Sequence, residues 1–585
     1  MGATLTMKIK LIMWGLLASC WTVSDVLNLS ANAVESCVVA SVNPLATDVG
    51  LNAFAEGGNA VDAAIATALT LGVVDNFNSG LGGGCFILIR LPDGSIAAID
   101  GREKAPASAS RDMYVRDGVA QPNLSTTGPL AVGVPGALAA YALALEKYGQ
   151  RSLAQLLTPG AEIAEQGFRL DRVYAGKLAA TAATLAKVCG DQCPLLKPDG
   201  SPYVEGEVLR QPDLAHSYRQ IAEHGPDWFY RGEFAEEVAQ WMAEKGGILT
   251  AEDFANYNPV EREPLITTYR DWQIIGFPPP SSGGVHVAQI LNILENFDMA
   301  QQYQRDPVRA THIVIEAMKL AFVDRAYWLG DADFVDVPRG LIDKGYAKAL
   351  AESIDLQHAR PVPLHGDPPQ ARENVFGKHT THIAAADSNG YWVAITATVN
   401  TTFGSKVIVP GTGIVLNNEM DDFSSQPGVP NAFGLVGAEN NAIAPGKRPL
   451  SSMSPTIVLD SQGNPVLTVG AAGGPKIITQ VLQTLIRQLD MKEDLAAAVA
   501  APRIHHQWHP DSVIAEAKVP KAIVEGLQQR GHEIVTIKTG GVTQAVGLDS
   551  NGKLKSVHDP RVPGKAGAVI RPSKKVAGGS PASGK

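Results

Sequence analysis

The sequence predicts a mixed α+β protein, and three observations point there. The first two thirds read mainly as helix, with Ala- and Leu-rich or amphipathic stretches at helical spacing over residues 60–73, 137–148 and 233–244. The last third changes to strands joined by tight turns. It begins with 380–386, the turn Asp387-Ser388-Asn389-Gly390 and a return strand at 391–399. Between the two lies a Pro-, His- and Gly-rich stretch, 357–379, the most linker-like segment of the chain.

Composition narrows the function. Of 585 residues, 45% are hydrophobic and 18% charged, which suits large buried cores and is too apolar for a disordered chain. Lys plus Arg number 49 against 59 Asp plus Glu, a net charge of −10. With no basic cluster, nucleic-acid partners and anionic membranes are disfavoured. The 6% aromatic content argues against a base-stacking surface. Length alone suggests about four domains. The 58 glycines imply many tight turns and close backbone approaches.

The N-terminus carries an export signal. Lys8 and Lys10 precede an apolar run at 11–20, and Ala31-Asn32-Ala33 is a small-x-small cleavage signature. Residues 1–33 therefore read as a signal peptide, since a membrane anchor would need about 20 apolar residues. The mature chain starts near Val34 and is exported, to the periplasm or beyond. Export bears on the cysteines. Cys20 leaves with the signal, and Cys189-Gly190-Asp191-Gln192-Cys193 is a candidate short-loop disulfide in an oxidising compartment. No paired CxxC spacing supports a zinc site.

Local signals place the remaining elements. A helix at 43–56 ends at Gly57-Gly58, and Asn59 caps the next one. Gly80-Leu81-Gly82-Gly83-Gly84 then precedes a strand at 85–90. A dinucleotide fingerprint runs strand, glycines, helix; here the order is helix, glycines, strand, so the glycines read as room for backbone crowding. The turn Phe277-Pro278-Pro279-Pro280-Ser281-Ser282-Gly283-Gly284 opens a helix at 285–296, and 307–328 and 344–354 add two more. Strands follow at 456–459 and 466–469, a helix at 475–489, strands at 513–517 and 533–538, and a hairpin around Asp549-Ser550-Asn551-Gly552. Residues 572–585 read as a disordered tail.

No GxSxG elbow, Walker loop or HExxH is present. His505, His506 and His509 cluster, but an ordinary loop is favoured over a metal site, and neither metal nor cofactor is expected. The unusual feature is His379-Thr380-Thr381-His382 at the boundary of loop and sheet. A threonine hydroxyl needs a nearby base. Were the chain cut before Thr380, its own α-amino group, with a pKa of about 7.7–8.0, would supply that base. On local sequence alone, β-branched residues in a strand remain the stronger reading.

The wider pattern overturns that reading. Thr398-Val399-Asn400-Thr401-Thr402-Phe403-Gly404, Leu416-Asn417-Asn418-Glu419-Met420-Asp421-Asp422-Phe423, Lys447-Arg448-Pro449-Leu450-Ser451-Ser452-Met453-Ser454-Pro455 and Gly470-Ala471-Ala472-Gly473-Gly474 follow in order. With Ile99-Asp100-Gly101-Arg102-Glu103, they resemble the γ-glutamyltransferase family (glutathione hydrolases) of N-terminal-nucleophile hydrolases. The resemblance runs from about 41 to 571.

It implies an αββα sandwich, two stacked sheets flanked by helices, built by both subunits of a self-cleaved precursor. Cleavage between His379 and Thr380 would give a large subunit, 34–379, and a small one, 380–585, that stay together as a heterodimer. Thr380 would attack the γ-glutamyl carbonyl of glutathione and related compounds. Water, or an amino-acid or peptide amine, would resolve the acyl-enzyme. Thr398 would orient the nucleophile. Arg102 would clamp the α-carboxylate, because a guanidinium fork suits it, with Ser451 and Ser452 as further donors. Asp422 would pair with the α-ammonium, assisted by Asn400 and Glu419, and the amides of Gly473 and Gly474 would form the oxyanion hole.

Each role has a bland rival. Arg102 as a surface ion pair would be worth only about 0–1 kcal/mol, and Ser451-Ser452 would be turn residues. The family often has Gly-Ser-Pro-Gly-Gly where Gly470-Ala471-Ala472-Gly473-Gly474 stands here. Ile383-Ala384 also departs from its pattern. Residues 427–447 resemble a lid over the glutamyl pocket, with Phe433 where tyrosine is common. A β-lactam (cephalosporin-type) acylase on the same fold and a non-catalytic exported binding protein are the competing functions.

Overall fold

The computed structural model describes residues 34–190, 193–369 and 382–572. Residues 1–33, which the sequence reads as a signal peptide, the pair His379 and Thr380, and the tail from 573 on lie outside the described residues.

The first two helices are set by their caps. Asn43 accepts the N–H of Leu45 at 2.9 Å and Pro44 occupies the first turn of Pro44–Ala55. Asn59 and Asp62 form a reciprocal capping box on Ala60–Val74. Every residue of that second helix is buried, as its apolar circumference requires.

Among the described residues, thirteen strands build the two large sheets. In chain order they are β1 (Val34–Ser41), β2 (Gly84–Arg90), β3 (Ile96–Gly101), β4 (Val260–Arg262), β5 (Leu265–Tyr269), β6 (Trp272–Gly276), β7 (Ile383–Asp387), β8 (Trp392–Thr398), β9 (Thr456–Leu459), β10 (Pro465–Ala472), β11 (Val542–Leu548), β12 (Leu554–His558) and β13 (Lys565–Pro572). One sheet runs β13-β1-β7-β8-β2-β3-β4 and the other β12-β11-β10-β9-β6-β5. The sheets stack face to face. Phe86, Leu88, Ala98 and Ala394 of the first meet Ile275, Ile457 and Leu459 of the second, with Phe277 just beyond β6. The Phe86 and Phe277 rings lie parallel with centroids 4.1 Å apart.

Each sheet buries its other face under helices. Ile87, Ile89, Ile99, Val393 and Ile395 pack with Pro44–Ala55, Ala60–Val74 and Ala137–Tyr148. Val458, Leu467, Val469 and Ala471 pack with Ser282–Leu294, Pro307–Trp328 and Lys476–Leu489. Both faces covered explains why the strands read as unbroken apolar runs rather than alternating ones. The layers are helix, sheet, sheet, helix, the expected αββα order. One body, Ser36–Val569, replaces the four domains that length suggests. The two chain ends form a small second unit, of which 34–35 and 570–572 are described.

Several boundaries differ from expectation for visible reasons. The helix expected at 285–296 starts at Ser282, because Ser281 Oγ accepts the N–H groups of Gly283 and Gly284 at 2.9 and 3.4 Å. The strand expected at 466–469 spans Pro465–Ala472, since Gly470, Ala471 and Ala472 keep pairing with β11. The linker-like stretch is pinned to the body as far as 369. Ala359 N–H donates to Arg530 at 2.7 Å, Trp328 Nε1 donates to the Gly366 carbonyl, and Gly366 N–H donates to Asp324.

The candidate disulfide is not formed: Cys189 and Cys193 are free thiols. The helix Arg172–Cys189 carries Cys189 to its last position, from which Sγ donates to the Lys406 carbonyl at 3.2 Å.

The glycine run does provide room for backbone. Gly84 is paired with Thr398 across β2 and β8. A Cβ on Gly83 would overlap the Thr398 carbonyl oxygen, and one on Gly82 the Val415 carbonyl oxygen. Gly83→Ala should therefore cost about 1–3 kcal/mol of stability, read as a lower urea midpoint. An unchanged midpoint would show that the end of β8 yields without strain.

Candidate active site

The C-terminal ends of β8 and β10, one from each sheet, open on a pocket of about 490 Å³, its mouth included. Thr398, Asn400, Glu419, Asp422, Phe433, Ser451, Ser452, Gly473 and Gly474 all line it. Nine sequence-expected residues, drawn from five separated segments, are thus brought together.

Each segment is held by its own local contacts. Beyond β8, Thr398 Oγ1 accepts the N–H of Asn400 at 2.7 Å. Asn400 has φ +75°, a left-handed conformation asparagine tolerates better than most residues, and its Nδ2 donates to the Asn418 carbonyl at 2.9 Å. The segment 417–422 is pinned by the buried Asn417 amide. Its Nδ2 donates to the Gly82 and Gly133 carbonyls at 2.9 and 2.8 Å, and its Oδ1 accepts from Gly133 and Glu419 N–H, both at 3.0 Å. That presents Glu419 and Asp422 on one short 3₁₀ turn.

Ser451 is held by the first residue of the helix Ser282–Leu294. The Ser451 carbonyl accepts from both N–H and Oγ of Ser282, at 3.0 and 2.6 Å. Upstream, Arg448 N–H donates to Asp331 at 2.7 Å. Gly473 and Gly474 follow β10 with φ +137° and +61°, which strongly favour glycine. A Cβ on Gly474 would come 2.7 Å from the Phe433 ring. Phe433 belongs to the 427–447 segment. Its neighbour Ala432 donates to Asp421 at 2.9 Å, and Asn431 Nδ2 donates to Asp422 at 3.3 Å. The lid-like segment therefore rests on the same acidic turn that lines the pocket.

The electrostatic centre lies just behind the lining. Arg102 follows β3 and is 0% exposed, so the surface ion-pair reading fails. Its guanidinium pairs with Glu419, with Asp422 at 2.7 Å and with Glu103 at 3.3 Å. The group expected to face a ligand carboxylate is thus engaged by the chain's own acids, because a buried cation needs nearby counter-charge. Burial disfavours the charge on Arg102, yet Glu419, Glu103 and Asp422 together hold its pKa above the usual value. Burial also pushes Glu419 well above the ordinary carboxylate range and Glu103 up to about 7, both against the pull of Arg102. Asp421, buried and accepting from Ser125, is pushed up to about 6 by burial. The pocket therefore offers carboxyl groups, whose charge depends on Arg102, on one wall and hydroxyl and backbone groups on the others.

Sequence reasoning missed Asn78 and Leu435, which line the pocket, and Glu103, Asn417 and Arg325, which support it. Asn417 and Glu103 lay inside the quoted motifs; a charged pair closing an apolar strand was the available signal for Glu103. Arg325 had none, being one charged residue within a long helix. It is buried, donates to Ser282 Oγ at 3.0 Å and Ser452 Oγ at 3.4 Å, and is lowered to about 10 by burial.

For metals, His312, Glu316 and His532 place ligand atoms within 4.8 Å of one another. His312 Nδ1 and His532 Nε2 already share a 2.7 Å hydrogen bond, and Glu316 pairs with Lys319 at 3.1 Å. His505 and His506 are buried and bonded to Thr479, Gln507 and Asp511.

Comparison with known proteins agrees with this geometry. Residues 46–569 match the family model described as Gamma-glutamyltranspeptidase. The chain is 44% identical over 526 residues to the glutathione hydrolase proenzyme of Escherichia coli strain K12, covering 90% of each. Its structure is similar to a cephalosporin acylase from Bacillus halodurans, with TM-score 0.81, 29% identity and coverage of 95% of this chain and 99% of that one. It is also similar to the gamma-glutamyltranspeptidase of Helicobacter pylori, with TM-score 0.53, 40% identity and coverage of 55% and 92%.

Replacing the central cation leaves buried carboxylates uncompensated. Arg102→Met should lose about 3–5 kcal/mol of stability near neutral pH. The loss should shrink as pH falls, because protonating acids whose folded pKa is raised removes the buried charge. Urea unfolding at pH 5 and pH 8 checks both; a loss independent of pH would refute the charge argument.

Proposed function

Because the chain belongs to the gamma-glutamyltranspeptidase family, we propose that Thr380 is its nucleophile, exposed as a new N-terminus by self-cleavage after His379. The protein is an autoprocessed γ-glutamyl hydrolase and transferase, and its substrates are glutathione and other γ-glutamyl compounds. In the precursor, the Thr380 hydroxyl attacks the His379 carbonyl. The acyl group passes from nitrogen to oxygen, and water hydrolyses the resulting ester. This leaves subunits 34–379 and 380–585, which remain a heterodimer.

In the mature enzyme the freed α-amino group takes the Thr380 proton as the hydroxyl attacks the γ-glutamyl carbonyl. Gly473 and Gly474 amides receive the developing oxyanion, a contribution for which losing one donor typically costs about 10²–10³ in rate. Thr398 orients the nucleophile. The leaving amine takes the proton, and water or an amino-acid or dipeptide amine then attacks the acyl-enzyme. Asp422, Glu419 and Asn400 receive the α-ammonium; Ser451 and Ser452, with Arg102 behind, receive the α-carboxylate. No cofactor enters this scheme. The observation that carries the reading is the convergence of Thr398, Gly473-Gly474 and the Arg102 acid group on one pocket.

A cephalosporin-type acylase has one supporting observation, the likeness to the Bacillus halodurans enzyme. The acid group weighs against it, since a glutaryl head has no ammonium to meet two pocket carboxyls. Turnover of a γ-glutamyl anilide should exceed that of a glutaryl β-lactam; the reverse would favour the acylase. We place the enzyme in the periplasm or outside the cell, on the signal peptide 1–33. Among the described residues no helix is long and apolar enough to cross a membrane.

N-terminal sequencing and intact mass of the purified protein test the chemistry. A new N-terminus at Thr380, abolished by Thr380→Ala, is expected; a single uncut chain, or a cut elsewhere, would sink it. Phe433 covers the pocket beside Gly474, and a tyrosine there would add a hydroxyl to the lid and exclude water from the acyl-enzyme better. Phe433→Tyr should therefore raise the transfer-to-hydrolysis ratio, and an unchanged ratio would count against a lid role.

A further inference from the structure

Glu103 has no part in the scheme above, yet it touches the centre of the charge network. It is fully buried beside Arg102, with Oε2 3.3 Å from Nη1. Glu419 Oε1 pairs with the same Nη1, so one guanidinium nitrogen holds the two carboxyl groups side by side. The remaining oxygens of the two, Glu103 Oε1 and Glu419 Oε2, are buried without a partner. Backbone walls the site, since a Cβ on Gly84 would overlap the Glu103 carboxylate.

The groups that face Glu103 are few. They are Arg102 on its own segment, Cys85 on β2, Tyr141 on Ala137–Tyr148, Tyr230 on Pro226–Tyr230, and Glu419 and Asp422 on the 3₁₀ turn. Burial raises the pKa of the cysteine and both tyrosines, so they stay neutral. Arg102 is then the sole cation among these groups, facing three carboxyls away from water. Like charges this close do not both ionise.

We propose that Glu103 and Glu419 share one proton in the free enzyme, and that the α-ammonium of a γ-glutamyl ligand displaces it to solvent. Glu103 is then a positioning residue: it sets the charge that Glu419 presents to the pocket. The exchange balances, one positive charge entering as the ammonium and one leaving as a proton, with no covalent bond to the ligand changed. A γ-acyl compound without the ammonium leaves the proton in place and meets a less negative wall. The inference rests on the γ-glutamyl reading of the pocket. Burial, opposed by Arg102, pushes Glu103 up to about 7 and Glu419 well above the ordinary carboxylate range, so the pair still holds a proton at about pH 7. Below that pH a ligand must expel the proton, and affinity should improve as pH rises, by up to about tenfold per unit.

L-Glutamate, which carries the whole head group, is the probe. Calorimetric titration of the processed enzyme at pH 6.5, in phosphate and in Tris, gives the protons released from the dependence of heat on buffer ionisation. Wild type should release about 0.5 proton or more per glutamate, and Glu103→Gln, which holds the pair in its protonated form, close to none. Zero release by wild type, or equal release by both, overturns the inference while leaving the γ-glutamyl reading intact. Failure of wild type to bind glutamate overturns both. Should Glu103→Gln fail to mature, the wild-type dissociation constant from pH 5.5 to 7 decides: a flat profile refutes the shared proton.

Discussion

The structure around the pocket depends on keeping one guanidinium out of water. A buried ion costs several kcal/mol unless partners compensate it. Arg102 finds those partners in Glu103 beside it and in Glu419 and Asp422, more than 300 positions along the chain. The pairing fixes where the 417–422 segment lies against the end of β3. Asn417, with hydrogen bonds to Gly82, Gly133 and Glu419, fixes its height. The lid-like segment then rests on that turn through Asp421 and Asp422. Charge compensation thus orders one wall of the pocket and part of the segment that rests on it.

A second constraint is backbone proximity. The end of β8 passes so close to Gly83, and the Val415 carbonyl so close to Gly82, that neither position has room for a side chain. The end of β10 turns through Gly473 and Gly474 under the Phe433 ring. Two stacked sheets thereby bring Thr398 and the Gly473-Gly474 backbone to the same mouth.

Much of this was legible in the chain. Capping and terminating residues marked the first two helices to within a residue at their ends, and Ala137–Tyr148 and Pro307–Trp328 were expected at their observed bounds. Turn residues marked the hairpin joining β7 and β8. The ordered motifs supplied eight of the expected residues that line the pocket, and the lid-like segment supplied Phe433. The failures were of another kind. Cys189 and Cys193 have a spacing that suits a disulfide, but the helix end and the Lys406 carbonyl claim the Cys189 thiol. The 357–369 stretch has linker composition, yet contacts to Arg530, Asp324 and Trp328 hold it down.

By itself the sequence determined the element types, the αββα order through its family motifs, and the residue types of the site. These follow from short-range caps, turns and periodicity, or from motifs short enough to be read whole. Only the tertiary structure decided that Arg102 is buried behind the pocket rather than open in it, that Glu103 meets Glu419, and that Arg325 reaches Ser452. Each of those facts joins residues far apart in the chain, and ionisation in a buried cluster depends on which charges end up as neighbours and on how completely water is excluded, neither of which is written in local sequence.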